Sequence, residues 1–234
     1  MKTKGGGKPP QSRALARNFI AALLLASAPA LARPDLPLVE VPATNGTSDT
    51  LVVFVSGDGG WAAIDKSIAR VLADHGMPVV GLNALKYFWT KRTPETAARD
   101  LQSILESYLA AWKKSHAVII GYSRGADVLP AMINRIPARL QSKIRLVALL
   151  GPSPRVEFEF HLIDWAHDNS TGLPVKPELD RLTPNVLCVW GEDDRDSLCN
   201  GLAGPHIQVV TLKGAHHFDG GYEKLATIVL EKLK

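Results

Sequence analysis

A chain of 234 residues with 46% apolar and 21% charged side chains has the composition of one medium-sized soluble domain. That excludes a disordered chain, a collagen-like chain and a multi-span membrane protein. The formal charge of +4 points to an anionic partner only until its location is noted. Lys2, Lys4, Lys8, Arg13 and Arg17 all fall within residues 1–32, which hold no acid. The rest of the chain is close to neutral, so a nucleic-acid partner has no global electrostatic support.

Residues 1–18 are basic and polar, and Phe19 to Ala26 form a short apolar run. That run is about half the ~20 residues a membrane-spanning helix needs. Ala30-Leu31-Ala32 then sets small residues at the −3 and −1 positions of a signal-peptidase site. The pattern predicts export, with a signal peptide over 1–32 cleaved after Ala32 and one domain over 33–234. An uncleaved N-terminal anchor is the alternative.

The mature chain alternates strands and helices. Leu51-Val52-Val53-Phe54-Val55 is a continuous β-branched run of the kind buried on both faces of a parallel sheet. It ends at Ser56-Gly57-Asp58-Gly59-Gly60. A helix follows from Trp61 to His75, with Ile64, Ile68, Val71 and Leu72 on one face and Gly76 as its stop. After a short strand at 78–82, Lys86, Tyr87, Phe88, Trp89, Lys91 and Arg92 read as a basic-aromatic loop suited to an anionic lipid surface or, alternatively, to core packing. Thr93 and Pro94 fit the N-cap and first turn of the next helix.

Strands at 117–120, 144–150, 185–190 and 206–212 continue the pattern, with helices from about Gly125 to Asn134 and from Tyr222 to Lys232. Residues 151–183 are too long for a simple connection. Within them Val156, Phe158, Phe160 and Leu162 alternate with polar residues, which predicts an inserted extended segment, a small cap near the site. The fold class expected is α/β, a mainly parallel sheet covered by helices on both faces.

Gly121-Tyr122-Ser123-Arg124-Gly125 fits G-x-S-x-G between a strand and a helix, the context in which that motif presents a nucleophilic serine. The Arg124 amide at the helix start suits an oxyanion. An acid and a histidine follow in hydrolase chain order. Asp194, three residues past Gly191, is preferred over Asp196 as the acid, and His216 over His217 as the base. Ser56 to Gly60 should lie beside the serine, where the Asp58 amide completes an oxyanion hole and its carboxylate meets a cationic substrate group. No cofactor is expected, and no further His/Cys cluster suggests a metal. Cys188 and Cys199 suit a disulfide in an oxidising compartment, with two unrelated buried thiols as the alternative.

The stretches Ser56 to Trp61, Tyr87-Phe88-Trp89, Gly121 to Pro130 and Gly214-Ala215-His216-His217-Phe218 resemble the VirJ/AcvB family of exported bacterial virulence proteins. The resemblance covers roughly residues 36–233 and is of the short, single-domain VirJ type. It implies an α/β-hydrolase fold, a periplasmic location and hydrolysis of aminoacylated phosphatidylglycerol, notably the lysyl form, at the membrane surface. It also implies an association with type IV secretion proteins. Ser123, Asp194 and His216 are then the catalytic residues, with Asp58, Trp61 and Tyr122 as substrate contacts. A non-catalytic periplasmic binding protein and a general carboxylesterase are the competing expectations.

Overall fold

The computed structural model describes residues 1–2, 34–159 and 172–234. The expected signal segment beyond Lys2 and residues 160–171 of the expected insertion, with Phe160 and Leu162, lie outside the described residues. Nine strands are described: β1 (Leu38–Val41), β2 (Thr50–Val55), β3 (Val79–Leu82), β4 (His116–Tyr122), β5 (Ile144–Leu150), β6 (Arg155–Val156), β7 (Leu173–Pro174), β8 (Val186–Gly191) and β9 (Ile207–Leu212). All but β6 and β7 join one sheet in the order β1-β3-β2-β4-β5-β8-β9. Every neighbouring pair in it is parallel except β1 with β3.

The continuous apolar runs behave as their composition demands. All six residues of β2 are buried, because β3 and β4 flank it in the sheet and helices cover both faces. Its alternate side chains serve two cores. Leu51, Val53 and Val55 pack with α3 (Pro94–Ala111) and α4 (Arg124–Ile133). Val52 and Phe54 pack with α1 (Ala63–Asp74) and the C-terminal helix Tyr222–Glu231. Fully burying one such Val or Phe contributes about 1.5–3 kcal/mol relative to leaving it exposed.

Helix ends also follow the sequence. The Thr93 hydroxyl accepts from Thr96 N at 3.2 Å, the Thr96 hydroxyl accepts from Thr93 N at 2.8 Å, and Pro94 opens α3. One expectation needs correction, the loop beginning at Lys86, and the core-packing alternative holds for two of its aromatics. The stretch 84–88 is a short helix, α2 (Ala84–Phe88), and its Tyr87 and Phe88 are buried in the core, so they do not face a membrane. Tyr87 instead donates to Asp100 Oδ2 at 2.5 Å, and Phe88 stacks edge-on against Phe158 at 5.9 Å. Only Trp89 of that trio is exposed.

The insertion begins as its alternation suggests. Val156 and Phe158 are buried, Glu157 and Glu159 less so. β6 pairs antiparallel with β7, which closes the segment at its base beside α2. Helices α5 (Ala138–Gln141) and α6 (Lys176–Leu179) lead into β5 and β8, and α7 (Tyr222–Glu231) ends the fold.

Candidate active site

Where β4 turns into α4, Ser123 has φ 52° and ψ −124°, a backbone state that L side chains rarely adopt. The flanking glycines make that turn possible by leaving no side chain. A Cβ on Gly121 would stand 2.5 Å from Ala126 N, and one on Gly125 only 2.0 Å from Val55 O. Strain of this kind, of order 1–3 kcal/mol, persists where the surroundings over-determine it. Its product is a serine held clear of the sheet at the N-terminus of a helix.

Two loops from neighbouring strand ends reach the serine. His216 follows β9, and its Nε2 lies 2.9 Å from Ser123 Oγ. Asp194 follows β8, and its Oδ2 lies 2.8 Å from His216 Nδ1. An ionised Asp194 fixes the imidazole with its proton on Nδ1, leaving Nε2 to accept from the serine. Gly151 at the end of β5, with φ 61°, makes room for the ring, since a Cβ there would lie 3.1 Å from it. Asp194 is held by its own turn, its amide donating to Gly191 O at 2.9 Å and its carbonyl accepting from Ser197 N at 3.0 Å. A disulfide between Cys188 on β8 and Cys199 ties the far side of that loop back to the sheet, with Cα atoms 5.6 Å apart. Asp196, the alternative acid, is exposed. His217 instead meets Tyr122, whose hydroxyl lies 2.7 Å from its Nδ1.

The expected binding residues divide. Tyr122 lines the groove over Ser123, its ring tilted against His216 at 5.5 Å, and burial pushes its phenol well above the ordinary value. Trp61 does not line it. Its indole packs edge-on against Phe54 at 5.6 Å and lies over Gly81, where a Cβ would be 2.2 Å from the ring. Trp61 thus packs on the sheet, which explains a glycine in β3. Asp58 lines the same groove as Ser123, and a Cβ on neighbouring Gly57 would lie 3.1 Å from Ser123 Cβ. Its carboxylate is already paired with the Arg124 guanidinium, through Nε and, at 3.4 Å, through Nη2. The same guanidinium donates to the carbonyls of Glu157 at 2.7 Å and Glu159 at 3.0 Å.

Two carboxylates in this region escaped the sequence. Asp127 in the first turn of α4 is buried and accepts from Ser153 N at 2.6 Å; desolvation pushes its carboxyl well above the usual range. Asp65 in the first turn of α1 is fully buried against the groove. Charged residues near helix starts are ordinarily wetted, so only the docking of these helices could reveal the burial. Two grooves meet at His216. One of about 450 Å³ holds Ser123, Tyr122, Asp65 and Tyr222. The other, about 810 Å³, runs past Ser153, Arg155, Arg195 and Asn200.

A mainly parallel sheet with this strand order, turned at Ser123, is the α/β-hydrolase fold. Among solved structures the chain is similar to MenH from S. aureus, with a TM-score of 0.63 at 14% identity over 84% of this chain and 97% of that one. It is similar as well to Est1E from Butyrivibrio proteoclasticus (0.57, 16%, 84% and 93%) and to an alpha-beta serine hydrolase homologue from Coxiella burnetii (0.57, 14%, 84% and 91%). No curated protein matches the sequence significantly. Residues 49–234 match the family described as bacterial virulence protein (VirJ), and the chain belongs to that family.

Proposed function

We propose that the protein is an exported serine hydrolase that cleaves the ester between an aminoacyl group and a phosphatidylglycerol, the lysyl ester above all. The observation that carries the hydrolase reading is the hydrogen-bonded chain from Asp194 through His216 to Ser123. Membership of the VirJ family and the resemblance of its motifs support the substrate. The disulfide supports an oxidising compartment, the periplasm.

In this mechanism Ser123 Oγ attacks the acyl carbonyl carbon while its proton passes to His216 Nε2. Asp194 stabilises the imidazolium that forms. The carbonyl oxygen becomes an oxyanion that accepts from the amides of Arg124 and Asp58. The bond to the glycerol oxygen then breaks, and His216 returns the proton to that leaving oxygen. Water, deprotonated by the same imidazole, attacks the aminoacyl-serine and releases the free amino acid. Arg124 and Asp58 hold each other by their side chains.

Purified protein should release lysine from lysyl-phosphatidylglycerol vesicles and label with a fluorophosphonate, and Ser123→Ala should abolish both. Labelling without lipid turnover would point to a general carboxylesterase. Absence of both would leave a binding protein on a hydrolase scaffold.

A further inference from the structure

Asp65 occupies a helix-capping position, where an acidic side chain is normally wetted, yet it is 0% exposed. Its Oδ2 accepts from Ala62 N at 2.8 Å and so caps α1. Its Oδ1 is buried and accepts no hydrogen bond from the described residues. Capping needs one acceptor oxygen and no negative charge, and an asparagine would supply it. The helix dipole favours an acid in this first turn, but the second oxygen is unexplained by the helix.

Burial raises the Asp65 carboxyl to about 6, the sign of a carboxylate short of solvation. Its sequence neighbour Lys66 is exposed, and among the described residues no ion pair reaches it. Asp65 lines the same groove as Ser123 and His216, together with the rings of Tyr122 and Tyr222. A group that completed the pairing from within that groove would have to be a donor, and a cation would gain most.

Resting on the reading of Ser123 as an ester nucleophile, we propose that Asp65 is the specificity-determining carboxylate of this groove, the counter-ion for an ammonium group on the acyl part of the ester. Aminoacyl esters carry such a group near the scissile carbonyl, and simple fatty acyl esters do not. Asp58 stands closer to Ser123 in the glycine-rich turn, but Arg124 already neutralises it. Of these two carboxylates only Asp65 has a buried oxygen that no donor among the described residues meets. Aromatic faces of Tyr122 and Tyr222 beside it suit the same cation.

The test compares lysine p-nitrophenyl ester with its Nα,Nε-diacetyl form, which has a closely similar acyl chain without positive charge. Asp65→Asn should raise KM for the charged ester about 10- to 100-fold and leave the diacetyl ester within about twofold. Melting at pH 8 should be no lower in Asp65→Asn than in the wild type, since the asparagine still caps α1. Equal losses on both esters, unchanged KM on both, or a lower melting temperature would overturn the assignment and leave Asp65 a structural cap. Failure of the wild type to hydrolyse either ester would instead overturn the hydrolase reading, and the assignment with it.

Discussion

Both ends of the central sheet carry a charged cluster, and they are built in opposite ways. At the end where the parallel strands begin, Asp49 meets His116 at 3.0 Å and Arg145 at 3.1 Å, all three side chains more than a third exposed. Donation from the Thr50 hydroxyl, helped by His116 and Arg145, holds the Asp49 carboxyl below its ordinary value. At the end where the strands finish, Asp65 and Asp127 are buried and their carboxyls are pushed up by desolvation. Ser123 is strained there, and glycines crowd against backbone. What separates them is that one end keeps its charges solvated, where pairs contribute little, while the other holds two of its carboxylates dry.

The comparison breaks most visibly in activity. Ser123→Ala or His216→Ala should lower ester hydrolysis by about 10³-fold or more with the fold intact by circular dichroism, since these groups act as a unit. Asp194→Asn should approach that loss, whereas Asp196→Asn stays within about threefold. The reverse ranking would move the acid along the loop.

Next in size is the clasp behind the acid. Replacing both Cys188 and Cys199 by serine should reduce stability by about 2–3 kcal/mol in urea unfolding. It should also lower kcat, because the loop carrying Asp194 is anchored through Cys199. An unchanged kcat would show that Asp194 is placed by its own turn alone.

Asp65 sharpens the contrast through pH. Its folded-state pKa of about 6 lies above its unfolded value of 3.8. The favourable contribution of the protonated form is therefore complete below about pH 4 and is lost as pH rises through 6. The loss should amount to roughly 2–3 kcal/mol by pH 8. Asp65→Asn should remove that dependence, so that its melting temperature exceeds that of the wild type at pH 8 but not at pH 4. A parallel pair of pH–stability curves would contradict the burial.

Asp49→Asn, at the other end of the sheet, is expected to do almost nothing. Its melting temperature should stay within about 2 °C of the wild type, and ester hydrolysis should be unaltered. A large effect there would erase the distinction between the ends.

Much of this organisation is legible in the residues themselves. β2 and β4 declare themselves as unbroken apolar runs, Thr93-Pro94 as a helix start, and Gly121 to Gly125 as a turn that only glycines permit. The order of Ser123, Asp194 and His216 places each after an apolar strand, which is why strand ends could be expected to bring them together. Other parts depend on partners far along the chain. β1 is four residues between prolines and exists through its antiparallel pairing with β3, about 40 residues on. Tyr87 and Phe88 look like loop aromatics until α2 is packed under the insertion. Asp58 reads as a free acid because its partner, Arg124, is 66 residues away. Asp65 reads as one more polar position on an amphipathic helix, and only the tilt of α1 against the groove turns it inward.

Arg124, the variable position of its own motif, has a consequence for how this scaffold diversifies. Its guanidinium grips the insertion by the main-chain oxygens of Glu157 and Glu159, and a carbonyl is the same whatever side chain follows it. The inserted segment can therefore change its sequence while its root stays fastened to the serine turn.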